Sequence, residues 1–72
     1  MRKVLKLNAK NIKQYRVAKD ITVAELAKAL KVSRQTIYNY EDGIQMPPPK
    51  KLEKIAKLLD VKKLDLLVEE GN

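Results

Sequence analysis

Residues 22–37 read TVAELAKALKVSRQTI, from Thr22 to Ile37, and this stretch decides the fold. Thr22 and Glu25 form a T-x-x-E capping box, in which each side chain satisfies an orphan amide at a helix start. That opens a helix running to about Leu30 and burying Leu26, Ala27 and Leu30. A two-residue link, Lys31-Val32, leads to Ser33, a good N-cap for a further helix ending near Asp42. Gly43 follows, where a left-handed residue is wanted. Two short helices with so brief a link must cross sharply, and Leu30 and Val32 can plug the corner. This is the arrangement of a helix-turn-helix.

Outward from this pair, the rest of the chain also reads as helix. Asn8 can cap a first helix of about Ala9 to Ala18, with Ile12 and Tyr15 inward. Pro47, Pro48 and Pro49 start a fourth helix, Pro49 to Leu59, with Leu52, Ile55, Ala56 and Leu59 on one stripe. A short fifth helix is expected at about Lys63 to Val68. Strand-like alternation is confined to Val4 to Leu7. The expectation is an all-α, compact bundle of five short helices, with a basic N-terminal arm (1–7), a helix-turn-helix domain (8–68) and a short tail (69–72).

Composition narrows the chemistry. Seventy-two residues suffice for one small domain, with a core limited by burial of only about 60% of the unfolded surface. There is no Cys and no His, which excludes disulfides, a conventional zinc site and catalysis by thiolate or imidazole. No nucleophile–base pair, metal cluster or glycine-rich phosphate loop is present, so no enzyme and no cofactor are expected. Neither a membrane span nor a signal-peptide core is readable, and an intracellular, cytoplasmic protein follows as the expectation.

The net charge of +7 is unevenly placed. Arg2, Lys3, Lys6, Lys10, Lys13, Arg16 and Lys19 meet no acid before Asp20, and the remaining nine Lys and Arg balance nine Asp and Glu. Such a surplus fits nucleic acid, an anionic membrane, an acidic partner or a merely solubilising surface.

The third helix carries the sharper signal. With Arg34 set at 0° and about 100° per residue, Ile37 falls near 300° and Tyr40 near 240°, so the buried direction is near 270°. Arg34, Gln35, Tyr38 and Asn39 share the opposite arc, at about 0°, 100°, 40° and 140°. Arg matches guanine O6 and N7, Gln and Asn match adenine N6 and N7, and a Tyr ring can meet a thymine methyl. An ordinary polar exterior would also look like this; the helix-turn-helix frame favours base reading.

Four pieces in order, Thr22-x-x-Glu25-Leu26-Ala27, Val32 to Ile37, Glu41-Asp42-Gly43 and Ile55-Ala56-x-x-Leu59, resemble the Cro/C1-type (XRE family) helix-turn-helix domain. The resemblance runs from about Ile12 to Leu67. It implies a lambda-repressor-like bundle whose third helix enters the DNA major groove; phage repressors of this kind are a standard docking example. It implies phosphate contacts at the helix starts, from Thr22, Ser33 and Thr36. It also implies a structural pair between Arg16 and Glu41 tying helix one to helix three. Family members often dimerise through the last helix, where Leu64, Leu67 and Val68 would share one face and Leu66 would point elsewhere. A twofold dimer would read a near-palindromic operator.

Three departures bear on this. Val23 stands where many members carry Gln, Asp42 replaces a common Asn, and the loop 44–49 lacks the usual cation. From Val32 to Pro49, Arg34 faces Glu41 and Asp42, a net of −1, so the cations on phosphates must come from Lys10, Lys13, Lys50, Lys51 and the arm with Arg2, Lys3 and Lys6. Two functions therefore stand: a sequence-specific, homodimeric regulator of transcription on double-stranded DNA, nucleoid-associated when bound, or a protein-interaction module on the same fold (antitoxin-like or bridging). No second domain for ligand sensing is read, so no small-molecule ligand and no membrane are implied, and control would fall to concentration, proteolysis or a protein partner.

Overall fold

Helix α2 (Val23–Leu30) begins at its capping box: Thr22 Oγ1 accepts from the Glu25 amide at 3.0 Å and Glu25 Oε1 from the Thr22 amide at 2.9 Å. Helix α3 (Arg34–Glu41) begins with half of that device, Ser33 Oγ accepting from the Thr36 amide at 3.1 Å. The computed structural model that shows this describes residues 3–71. Around the pair lie strand β1 (Lys3–Leu7), helix α1 (Ala9–Ala18), helix α4 (Pro49–Leu59), a 3-10 turn (Lys63–Leu66) and strand β2 (Leu67–Gly71).

Three helices end by one device. Asp20, Lys31 and Asp60 take the left-handed conformation (φ 57°, 58° and 57°) after α1, α2 and α4. The next amide then turns back to the helix: Ile21 to the Arg16 carbonyl (3.1 Å), Val32 to Ala27 (3.0 Å) and Val61 to Ala56 (3.0 Å). These bonds satisfy carbonyls that a helix end leaves orphaned. The bond at Val32 is what sets the corner between α2 and α3. Gly43 takes φ 74° beyond α3, where the chain must turn and a side chain would be strained.

The core takes one apolar stripe from each helix: Ile12; Leu26, Ala27 and Leu30; Ile37 and Tyr40; and Leu52, Ile55, Ala56 and Leu59. Leu66 from the 3-10 turn closes it. Two polar bonds pin the periphery. Asn11 Nδ2 donates to the Asp65 carbonyl at 2.8 Å. Lys51 Nζ donates to the Leu30 carbonyl at 3.3 Å, a cation on the negative end of α2.

The all-α, five-helix expectation needs correction. Among the described residues the molecule is mostly helical, with four α-helices and a two-stranded sheet. The fifth helix, expected at about Lys63 to Val68, is the 3-10 turn followed by β2, because the backbone of 67–71 pairs with 3–7 instead of with itself. The strands are antiparallel, from Lys3↔Gly71 through Leu5↔Glu69 to Leu7↔Leu67. Residues 3–7, read as a basic arm, are thus strand β1. Leu66 is fully buried, whereas Leu64 is 66% exposed, the reverse of what a helical stripe requires. Asn8 stands at the start of α1 without a side-chain cap; its amide continues the sheet by donating to the Leu66 carbonyl at 2.8 Å.

Candidate nucleic-acid interface

The crossing of α2 and α3 turns one face of α3 outward. Ile37, Tyr40 and Glu41 are buried, which leaves Arg34, Gln35 and Tyr38 exposed and Asn39 half-buried on the opposite side. All four residues expected to read bases lie on that face.

Two of them are linked. Gln35 Nε2 donates to Asn39 Oδ1 at 3.0 Å, and Asn39 Nδ2 donates to Gln45 Oε1 at 3.4 Å. The chain of amides leaves Gln35 with its oxygen and its second amide hydrogen, the acceptor and donor that an adenine edge requires. Gln45 was not among the sequence candidates. It sits in an irregular loop, where helical periodicity gives no direction; the loop is folded onto α3 by bonds from the Ile44 and Gln45 amides to the Asn39 carbonyl (2.9 and 3.2 Å).

The phosphate candidates divide. Ser33 is exposed at the start of α3, its Oγ 2.9 Å from Thr36 Oγ1. Thr22 is exposed at the start of α2, but its amide already serves Glu25. That bond, helped by the Thr22 hydroxyl, holds the Glu25 carboxyl below its usual range, so a negative charge occupies the site an anion would otherwise take. Lys10 and Lys13 are exposed on α1, and Lys50 on the first turn of α4. Lys51 is half-buried on the Leu30 carbonyl. Arg2 and the side chain of Lys3 lie outside the described residues.

Arg16 and Glu41 are buried together. Arg16 Nε lies 2.6 Å from Glu41 Oε2 and Nη2 3.3 Å from Oε1, and Nη1 donates to the Ile21 carbonyl at 2.9 Å. Glu41 therefore adds no acid to the outer face, where Arg34 and Asp42 balance. Of the three residues expected at a dimer interface, Leu64 and Val68 are exposed and Leu67 packs against the core.

Among the described residues no helix is long and apolar enough to cross a membrane, and no group of His, Cys, Asp and Glu is placed to hold a metal ion.

The geometry is shared with known proteins. A helix-turn-helix family model matches residues 12–67. An uncharacterized HTH-type transcriptional regulator of Methanocaldococcus jannaschii is 44% identical over 61 residues, which span 85% of this chain and 92% of that protein. A putative HTH-type transcriptional regulatory protein of Aeropyrum pernix is 34% identical over 53 residues, 74% of this chain but only 16% of that protein. The crystal structure of the master regulator for biofilm formation SinR in complex with DNA superimposes with a TM-score of 0.71 at 34% identity, covering 81% of this chain and 97% of that one; SinR is from Bacillus subtilis. With more than half its length matched and a near full-length relative at this identity, the chain belongs to the Cro/C1-type (XRE) helix-turn-helix family of non-enzymatic regulators of transcription.

Proposed function

We propose that this protein is a sequence-specific regulator of transcription that binds double-stranded DNA as a homodimer, each α3 lying in the major groove of one half of a near-palindromic operator. The observation that carries the reading is the outward set Arg34, Gln35, Tyr38 and Asn39, with Gln35 and Asn39 joined at 3.0 Å. These groups match base edges, and a 3.0 Å amide bond orients Gln35 before DNA arrives. Ser33 and Thr36 meet phosphates at the start of α3, where no acidic side chain takes the place as Glu25 does at Thr22, and Lys10, Lys13, Lys50, Lys3 and Arg2 supply cations around them. The protein works in the cytoplasm, on the nucleoid when bound. The SinR–DNA complex supports the reading by its likeness alone.

A second reading has its own support. Ile44, Met46 and Leu64 are exposed apolar side chains, more than DNA binding uses, and a protein-interaction role would employ them.

Titrating random and enriched duplexes at several salt concentrations separates the two. Operator binding gives a preferred sequence and a steep salt dependence, and replacing Lys10 and Lys13 by Gln lowers the slope by about 0.9 for each phosphate left without its cation. Duplexes bound only at a non-specific level at physiological salt would leave the protein-interaction reading in its place.

A further inference from the structure

The two-stranded sheet leaves one edge of β1 open, and that edge has a definite pattern. The Asn8 amide bonds the Leu66 carbonyl at 2.8 Å, one step along the register from Leu7↔Leu67. In an antiparallel ladder, pairs that exchange hydrogen bonds alternate with pairs that do not. The bonded pairs are therefore Lys6↔Val68 and Val4↔Glu70, and the backbone groups of Lys3, Leu5 and Leu7 point to the outer edge. Among the described residues, Leu5 and Leu7 have no backbone partner there. A lone two-stranded ribbon is marginal in water, and an unpaired edge is a template for another strand.

We infer that the occupant is β1 of a second copy, added antiparallel about a twofold axis at Leu5, so that two protomers share one four-stranded sheet. This deepens the homodimer of the proposed function and assigns its main contact to the β1 edge. The parity fits: centring on Leu5 makes Leu5 and its twin a bonded pair, flanked by bonded pairs of Lys3 with Leu7. Charge fits as well. In full overlap Lys3 stands opposite Leu7, Val4 opposite Lys6 and Leu5 opposite Leu5, with no like charges directly opposed. The β2 edge is the alternative, and its outward positions are Leu67, Glu69 and Gly71, which put an acidic position at its centre where β1 has Leu5.

A groove adjoins the chosen edge. Leu5, Met46, Pro47, Pro49, Leu52 and Leu67, with Lys63 as the one charged neighbour, line a mostly apolar recess of about 300 Å³. Directly opposed residues of a sheet share a face, so the second copy's Leu5 extends the apolar wall of this recess.

The test is the oligomeric state of the full chain without DNA, by sedimentation, so its failure is distinct from failure to bind an operator. The wild type sediments as a dimer at micromolar concentration. Leu5→Pro removes an outward amide, which an edge tolerates, together with the Leu5 side chain at the centre of the contact, and raises the dimer dissociation constant by roughly tenfold or more with the helical circular dichroism unchanged. As a check independent of that variant's folding, Leu5→Cys is joined into dimers by a short bismaleimide. Val17→Cys on α1, of similar exposure (56% against 52%), is joined far more slowly. A monomeric wild type, equal cross-linking of the two cysteines, or a dimer that survives Leu5→Pro and is broken by Leu64→Glu would overturn the inference.

Discussion

Arg16 of α1 and Glu41 of α3 meet through two hydrogen bonds, Nε to Oε2 at 2.6 Å and Nη2 to Oε1 at 3.3 Å, with side chains only 11% and 4% exposed. The third arm of the guanidinium reaches the Ile21 carbonyl at 2.9 Å, so one side chain ties α1, α3 and the segment leading to α2. Breaking a buried pair by removing one partner strands the other charge and costs about 3–5 kcal/mol. Stability for a chain of this size is of that same order. Glu41→Ala is therefore expected to leave the protein largely unfolded at 37 °C, by urea titration or a thermal melt. Arg16→Met with Glu41→Leu is expected to recover much of the loss, because no charge is then stranded. Full retention of stability by Glu41→Ala would mean the pair is decoration.

Lys31 carries a backbone cost that the turn could shed. Its φ of 58° places a side chain in the left-handed region at the corner of the helix-turn-helix, where glycine meets no Cβ penalty. Lys31→Gly is expected to raise stability by about 0.5–1 kcal/mol, seen as a higher urea midpoint at constant slope. A lower midpoint would show that the Lys31 side chain contributes more than its backbone costs.

How far the residues foretold the molecule divides along the range of the forces. Thr22, Glu25, Ser33 and Gly43 act within a few positions, so helix starts and turns were legible, and with them the outward arc of α3. Arg16 and Glu41, 25 residues apart, were legible only through family resemblance. The sheet was not: Leu5 and Glu69 pair across most of the chain, and Leu64, Leu67 and Val68 fit a helical stripe locally as well as they fit a turn and a strand. Non-local pairing overrides so weak a local preference. Gln45 escaped because an irregular loop has no period to read.

The capping box makes stability respond to acid. The Thr22 amide and hydroxyl hold the Glu25 carboxyl below its ordinary value of 4.5. A carboxyl lowered in the folded state stabilises fully above its unfolded value and loses that contribution as pH falls through the folded one. Unfolding free energy is therefore expected to drop as pH goes below about 4.5, and Glu25→Gln to flatten that part of the profile while the helix still starts at Val23. Parallel profiles for the wild type and Glu25→Gln would show that other carboxylates set the acid limb.

Gln35 and Gln45 stand at the two ends of the amide chain through Asn39, and their substitutions should not be equivalent. Gln35 keeps both groups needed for an adenine edge, so Gln35→Ala is expected to lose about 1–3 kcal/mol of discrimination at one base position. Gln45 holds Asn39 through a single long bond of 3.4 Å, and such a neutral bond contributes no more than about 1 kcal/mol. Gln45→Ala should then cost less than Gln35→Ala, and at the base position read by Asn39. Competition binding with operators carrying each single base change supplies both numbers. If Gln45→Ala proves the costlier change, or relaxes a position untouched by Asn39→Ala, then Gln45 reads DNA itself and the loop, with α3, forms the reading head.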